Sequence, residues 1–153
     1  MKKLALVVFS LVLLSGCFPS TSGIVHSSSK DAITAIESKD SLILVIGTTQ
    51  CGSCKEFSEV MKQITEQYDI RIAEVFIDEE ESETDPNTQE VRYPDFEELQ
   101  QYIGQVGATP SVFFINNGLI KGTFTGAVSY DTFKSKLEKY GFLPEETKQQ
   151  SEE

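Results

Sequence analysis

Two cysteines, Cys51 and Cys54, stand on either side of Gly52 and Ser53 in a chain of 153 residues. Thiols at this spacing can close into a disulfide across the first turn of a helix, or supply half of a four-ligand zinc site. The zinc alternative lacks ligands, because Cys17 is the one further cysteine and His26 the one histidine; no metal is expected. A purely structural disulfide around so small a loop contributes little through chain entropy. Thiol–disulfide exchange is the chemistry that the spacing favours. The first sulfur attacks a disulfide to give a mixed disulfide, and the second sulfur resolves it.

The neighbouring residues place this pair where such chemistry works. Residues 42–46 (Leu-Ile-Leu-Val-Ile) form a short, β-branched apolar run bounded by Asp40-Ser41 and Gly47, as expected of a strand buried on both faces. After the cysteines, Phe57, Val60, Met61, Ile64 and Tyr68 recur on one face of an amphipathic helix. The pair therefore falls where a buried strand ends and a helix begins. Backbone N–H groups and the positive end of the helix dipole stabilise a thiolate there. Gly52 gives the turn freedom, and Ser53 does not fix the backbone as proline would.

Further elements follow the same patterns. A short strand is expected at 23–26 and a helix at 31–39, with Ala32, Ile33 and Ile36 on one face behind a serine-rich cap. Residues 70–77 read as a strand. Residues 78–85 hold six acids in eight positions and, with Pro86 and Asn87, read as a solvated, mobile loop kept off a membrane by like-charge repulsion. Phe96, Leu99, Tyr102 and Ile103 mark a short helix after Pro94. Strands at 112–115 and 119–124 flank Asn116-Asn117-Gly118, a hairpin signal. Tyr130, Phe133, Leu137 and Tyr140 give a last helix. Strands alternating with helices and ending in a hairpin predict an α/β fold with a mixed central sheet and helices on both faces.

At this point the chain resembles the thioredoxin superfamily. The strand at 42–46, Cys51-Gly52-Ser53-Cys54-Lys55, the strand ending Ile77-Asp78, Ala108-Thr109-Pro110 before a strand, Asn117-Gly118 at a hairpin, and Gly126 before the last helix occur in family order. The resemblance implies a thioredoxin-like fold with Cys51 as nucleophile and Cys54 as resolving cysteine. It further implies that Pro110 is a cis-proline beside the sulfurs, turning the Thr109 backbone toward a docking peptide. Gln50, Gly52, Ser53 and Thr109 are then the substrate-contacting residues. Gln50 stands where the family carries a tryptophan, so the rim becomes more polar. The family's buried aspartate falls at Val45, and the lysine that often faces it falls at Glu74. Turned inward, Glu74 would have a raised pKa and accept the Cys54 proton; turned outward, it is an ordinary strand acid. The acidic insertion, about 78–93, is longer than the family core requires, and its acids could also meet a cation or a basic partner.

The third cysteine belongs to a different device. Lys2 and Lys3 precede an apolar stretch at 4–14, broken only by Ser10, and Leu14-Ser15-Gly16-Cys17 follows. This is the pattern of a secretory signal, and at eleven residues it is well short of the roughly 20 that span a bilayer. Its end resembles the lipobox of bacterial lipoproteins, which implies lipidation of Cys17 and cleavage before it. The expected organisation is a signal at 1–16, a lipidated cysteine and spacer at 17–22, the domain at 23–143 and a polar acidic tail at 144–153. Removing the signal takes two lysines and no acids, so a formal charge of −11 becomes −13 on 137 residues. With 13 basic residues against 24 acidic ones, nucleic acid is a poor partner. The expected function is thiol–disulfide exchange with envelope or secreted proteins, from a lipid anchor on the outer side of a bacterial cell membrane. It needs a redox partner to reset the pair but no cofactor. The spacing assigns no direction of electron flow. Two alternatives are a non-enzymatic accessory protein for export or maturation of a secreted peptide, resembling bacteriocin-transport accessory factors, and a lipoprotein module binding cationic ligands.

Overall fold

A computed structural model of the chain describes residues 22–144. The signal segment, Cys17, most of the spacer and all but the first residue of the tail lie outside the described residues. The elements run β1 (Gly23–His26), α1 (Ser29–Glu37), β2 (Leu42–Gly47), α2 (Gly52–Gln67), β3 (Arg71–Phe76), β4 (Glu83–Thr84), β5 (Val91–Arg92), α3 (Pro94–Ile103), β6 (Ser111–Asn116), β7 (Leu119–Thr125) and α4 (Tyr130–Lys139).

Five strands make the central sheet in the order β1-β3-β2-β6-β7. The first three are parallel, while β6 and β7 are antiparallel to their neighbours. This is the mixed sheet that the alternation predicts. Its centre, β2, is buried on both faces because successive side chains point to opposite sides. Leu44 and Ile46 pack with Ala32 and Ile33 of α1 and Phe96, Leu99 and Ile103 of α3. Ile43 and Val45 face the other way, onto Phe57, Met61 and Ile64 of α2 and Phe133 and Leu137 of α4. Helices thus cover both faces in pairs. Phe114 is the hub of the second layer, with ring contacts to Phe124, Phe133, Tyr140 and Phe142.

Local chemistry sets the boundaries. Ser28 caps α1 in a capping box with Asp31, and Ser129 caps α4 by accepting from the Thr132 N–H. The β6–β7 hairpin turns on Asn117 and Gly118, both at positive φ. A side chain at Gly118 would also stand 2.6 Å from the Ile36 carbonyl oxygen.

The acidic segment departs from the expected loop. A short 3-10 turn, Ile77–Glu79, follows β3, and β4 and β5 then pair as a small antiparallel ribbon. The Asp85 carboxylate accepts from the Asn87 and Thr88 N–H groups at 2.7 and 3.1 Å, which folds the connection back on itself. Backbone pairing and this side-chain turn give part of the segment a fixed shape where the sequence reads as a mobile loop.

Candidate active site

The cysteine pair sits at the carboxyl end of β2, where the chain leaves the sheet and enters α2. Gly47 ends the strand in tight surroundings: a Cβ there would stand 3.2 Å from the Phe76 ring and 3.4 Å from the Cys54 Sγ. Cys51 is the N-cap of α2, and Cys54 lies in its first turn. The Cys54 N–H donates to the Cys51 Sγ at 3.0 Å. The two sulfurs are bonded, with their Cα atoms 5.2 Å apart. Cys51 is half-buried and Cys54 only 5% exposed. One sulfur is thus open to a partner at the helix start, and the other is held behind it. Gln50, Gly52 and Ser53 are exposed around the first sulfur.

The approach to Cys51 is held from the 3-10 turn that follows β3. Both carboxylate oxygens of Asp78 accept from the Thr49 N–H, at 2.9 and 3.0 Å, and one also accepts from the Thr49 hydroxyl. These bonds, the hydroxyl bond first, hold the Asp78 carboxyl below its ordinary pKa. Thr49, two residues before Cys51, is thereby tied to the turn that follows β3.

On the other side of β2, the Thr109–Pro110 peptide is cis. Ile46 pairs with Ser111, which brings Pro110 to the level of Gly47 at the same end of the sheet as the cysteines. The Pro110 carbonyl accepts from the Gly126 N–H at 2.8 Å, and the Ser111 hydroxyl donates to the Ala108 carbonyl at 2.7 Å. Pro110 is buried and Thr109 half-buried.

Glu74 turns inward. It pairs in register with Val45 on β2 and His26 on β1, and only 5% of it is exposed. Its side chain lines a cavity of about 330 Å³ together with His26, Thr48, Cys54, Ser58 and Phe76. Burial pushes the Glu74 carboxyl above its ordinary pKa; the nearby His26 opposes this, and Glu79 adds to it. Its carboxylate makes no hydrogen bond or ion pair among the described residues. A carboxyl group with a raised pKa that shares a cavity with a buried sulfur holds its proton to higher pH than an exposed acid and can exchange one with the thiol.

Three features of this site were not read from the sequence. The Asp78–Thr49 anchor joins residues 29 positions apart, and neither residue type signals the contact. His26 reads as a strand or linker residue, yet its ring packs 5.3 Å from that of Phe76 in the cavity wall. The need for glycine at position 47 depends on where Phe76 and Cys54 come to lie. Among the described residues, no group of three or more His, Cys, Asp or Glu side chains is placed to hold a metal ion.

A five-stranded mixed sheet with paired helices on each face, and a Cys-x-x-Cys pair capping the helix after the central strand, define a thioredoxin-type α/β protein. The sequence agrees: the chain belongs to the thioredoxin-like domain family, whose sequence model matches residues 28–141. No curated protein matches it. Solved structures share the fold at low identity. Thioredoxin h of Nicotiana alata aligns with a TM-score of 0.58 and 19% identity, over 78% of this chain and 93% of its own. A mutant thioredoxin of Halobacterium salinarum aligns with 0.58 and 18%, over 80% and 95%. Reduced thioredoxin pre-protein of Schistosoma mansoni aligns with 0.57 and 22%, over 78% and 99%. The fold and the bonded cysteine pair together support thiol–disulfide redox chemistry.

Proposed function

We propose that this protein is a thiol–disulfide oxidoreductase that exchanges disulfides with secreted or envelope proteins, tethered by lipid at Cys17 on the outer side of a bacterial membrane. The observation that carries the redox reading is the unequal exposure of two bonded sulfurs, one open at a helix N-cap and one buried beside an inward-turned carboxyl group. The tether and the extracytoplasmic location rest on the signal and lipobox pattern of residues 1–17.

In the reducing direction, the Cys51 thiolate attacks one sulfur of a substrate disulfide. A Cys51–substrate disulfide forms, and the other substrate sulfur leaves as a thiolate that takes a proton. The Cys54 thiol then gives its proton to the Glu74 carboxylate and attacks the Cys51 sulfur. The second substrate thiolate leaves, and the Cys51–Cys54 disulfide forms. Two electrons pass from the cysteine pair to the substrate, and a redox partner returns them. The oxidising direction is the same sequence reversed. Thr109, beside Pro110, would pair its backbone with the substrate chain. Gln50, Gly52 and Ser53 would form the rim.

The experiment is insulin-disulfide reduction by the purified protein, together with trapping of partners by Cys54→Ser. Turnover in the first and mixed disulfides through Cys51 in the second are expected. Absence of both would refute the enzyme reading and favour an accessory protein. Equilibration of the pair with glutathione sets the direction of electron flow.

A further inference from the structure

The cavity beside Cys54 shares His26, Glu74 and Phe76 with a second cavity of about 430 Å³. This second space lies at the carboxyl ends of β1 and β3. Glu79, Glu80 and Glu81 follow β3 into it, and Lys30 of α1 and Asp95 of α3 close it. Ligands of open α/β sheets bind at this end of the strands, and it is the end that carries the cysteine pair.

The partners of these acids are unevenly distributed. Asp95 is paired with the Lys30 Nζ at 2.7 Å. One oxygen of Glu80 accepts from the Ser29 N–H at 2.5 Å, at the start of α1. The other Glu80 oxygen is buried with no hydrogen-bond partner. Glu74 is 5% exposed, and its carboxylate has no hydrogen bond or ion pair among the described residues. The side chains of Glu79 and Glu81, at the mouth, likewise make none among the described residues. Glu74 therefore presents an inward-turned carboxyl group without a partner to this cavity, Glu79 and Glu81 add exposed carboxylates at its mouth, and Lys30, the one lysine or arginine lining it, is already paired. A group that is both positively charged and rich in N–H donors would complete it.

We propose that this cavity receives an arginine or lysine side chain of the polypeptide whose disulfide meets Cys51. The proposal rests on the oxidoreductase reading and adds a substrate class to it: partners with a basic residue close to the reacting cysteine. The spacing follows from the sheet. The cavity lies across the ends of β3 and β1, one and two strands from β2, which is about 5–10 Å at roughly 4.8 Å per strand. An extended chain covers that in about two to three residues, and three reaches its far side. The basic residue stands on the flank of Cys51 away from Pro110, so it does not compete with backbone pairing at Thr109.

The test uses the purified full-length protein and fluorescent peptides in which arginine lies three residues from a serine replacing the cysteine. Each peptide has a twin with citrulline in place of arginine. The arginine peptide is expected to bind about tenfold more tightly than its twin. That preference is expected to shrink in the double variant E79Q/E81Q, which removes two charges from the mouth while Glu74 stays in place, and to survive in full in E59Q/E90Q, which removes the same charge from exposed positions outside the cavity. Equal binding of the twins, or equal loss in both double variants, would overturn the proposal.

A second arm restores the cysteine as its thionitrobenzoate disulfide and uses Cys54→Ser, so that attack by Cys51 releases the coloured thiolate. Faster release from peptides with arginine three residues away than eight residues away supports a polypeptide substrate. Equal rates for the arginine and citrulline peptides would overturn the cation site and leave the oxidoreductase reading standing. Selective binding with no mixed disulfide would overturn the oxidoreductase reading and leave the cation site.

Discussion

Glu74 and Cys54 line one cavity, the first from β3 and the second from the opening turn of α2. Residues twenty positions apart in sequence thus bring a buried carboxyl group to the buried sulfur of a reactive pair. The central strand offers no acid at this level, because the register partner of Glu74 on β2 is Val45. The inward carboxyl group is supplied by the neighbouring strand.

Substituting Glu74 by glutamine should change two pH profiles. Burial raises the Glu74 pKa in the folded chain, so the carboxylate needed to take the Cys54 proton is lost as pH falls through that raised value. In Glu74→Gln, resolution of a Cys51 mixed disulfide should be slower at neutral pH and should lack this inflection; an unchanged profile sinks the role. The stability effect has the opposite sense. A raised folded pKa contributes stability that is full below the unfolded value and is lost as pH rises through the folded one. Glu74→Gln should therefore unfold at a higher temperature than the parent at pH 8, with the difference shrinking toward pH 4.

Asp78 should behave in the reverse way. Its folded pKa is lowered by the bonds from Thr49, so its contribution is present above the unfolded value and is lost as pH falls through the folded one. Asp78→Ala should loosen the segment before Cys51. The expected result is a lower urea midpoint at pH 7, a smaller difference from the parent in acid, and altered alkylation of Cys51 in the reduced protein. Identical alkylation rates would show that the anchor does not position the nucleophile.

Phe114 tests the packing that supports the site. It is fully buried and meets four aromatic rings from β7, α4 and the segment after α4. Phe114→Ala should lower the unfolding free energy by about 3–5 kcal/mol, from lost burial and the remaining cavity. Denaturant melts at pH 7 measure this, and a loss under about 1 kcal/mol would mean that the layer repacks.

Cys17 tests the tether independently of the fold. Expressed in bacteria, the parent should partition with membranes and into detergent on phase separation, because two lipid chains anchor stably where one is marginal. Cys17→Ser should lose lipid labelling and leave the membrane fraction. Retention of the label would place the lipid elsewhere.

Much of the architecture could be read from short-range patterns. The apolar run at 42–46, the helical spacing of Phe57, Met61 and Ile64, and the Asn117-Gly118 turn each depend on residues close in sequence, and each appears as expected. The cysteine pair was legible for the same reason: two thiols three positions apart at a helix start are close whatever the rest of the chain does. Charge density in the 78–93 segment was legible too, but its shape was not. Repulsion among acids is visible in composition, whereas the Asp85 turn and the β4–β5 pairing are specific geometric matches.

By itself, then, the sequence determined which two thiols stand close enough to pair, the order of the main strands and helices, and the basic, apolar and Leu-Ser-Gly-Cys pattern of residues 1–17. Only the tertiary structure decided which way Glu74 points, what Asp78 holds, and that His26 shares a cavity with Cys54. The physical reason is register. A strand alternates its faces every residue, so a one-residue slip of β3 against β1 and β2 would send Glu74 to the opposite face. Pairings between distant segments set that register, and no local pattern around Glu74 records them.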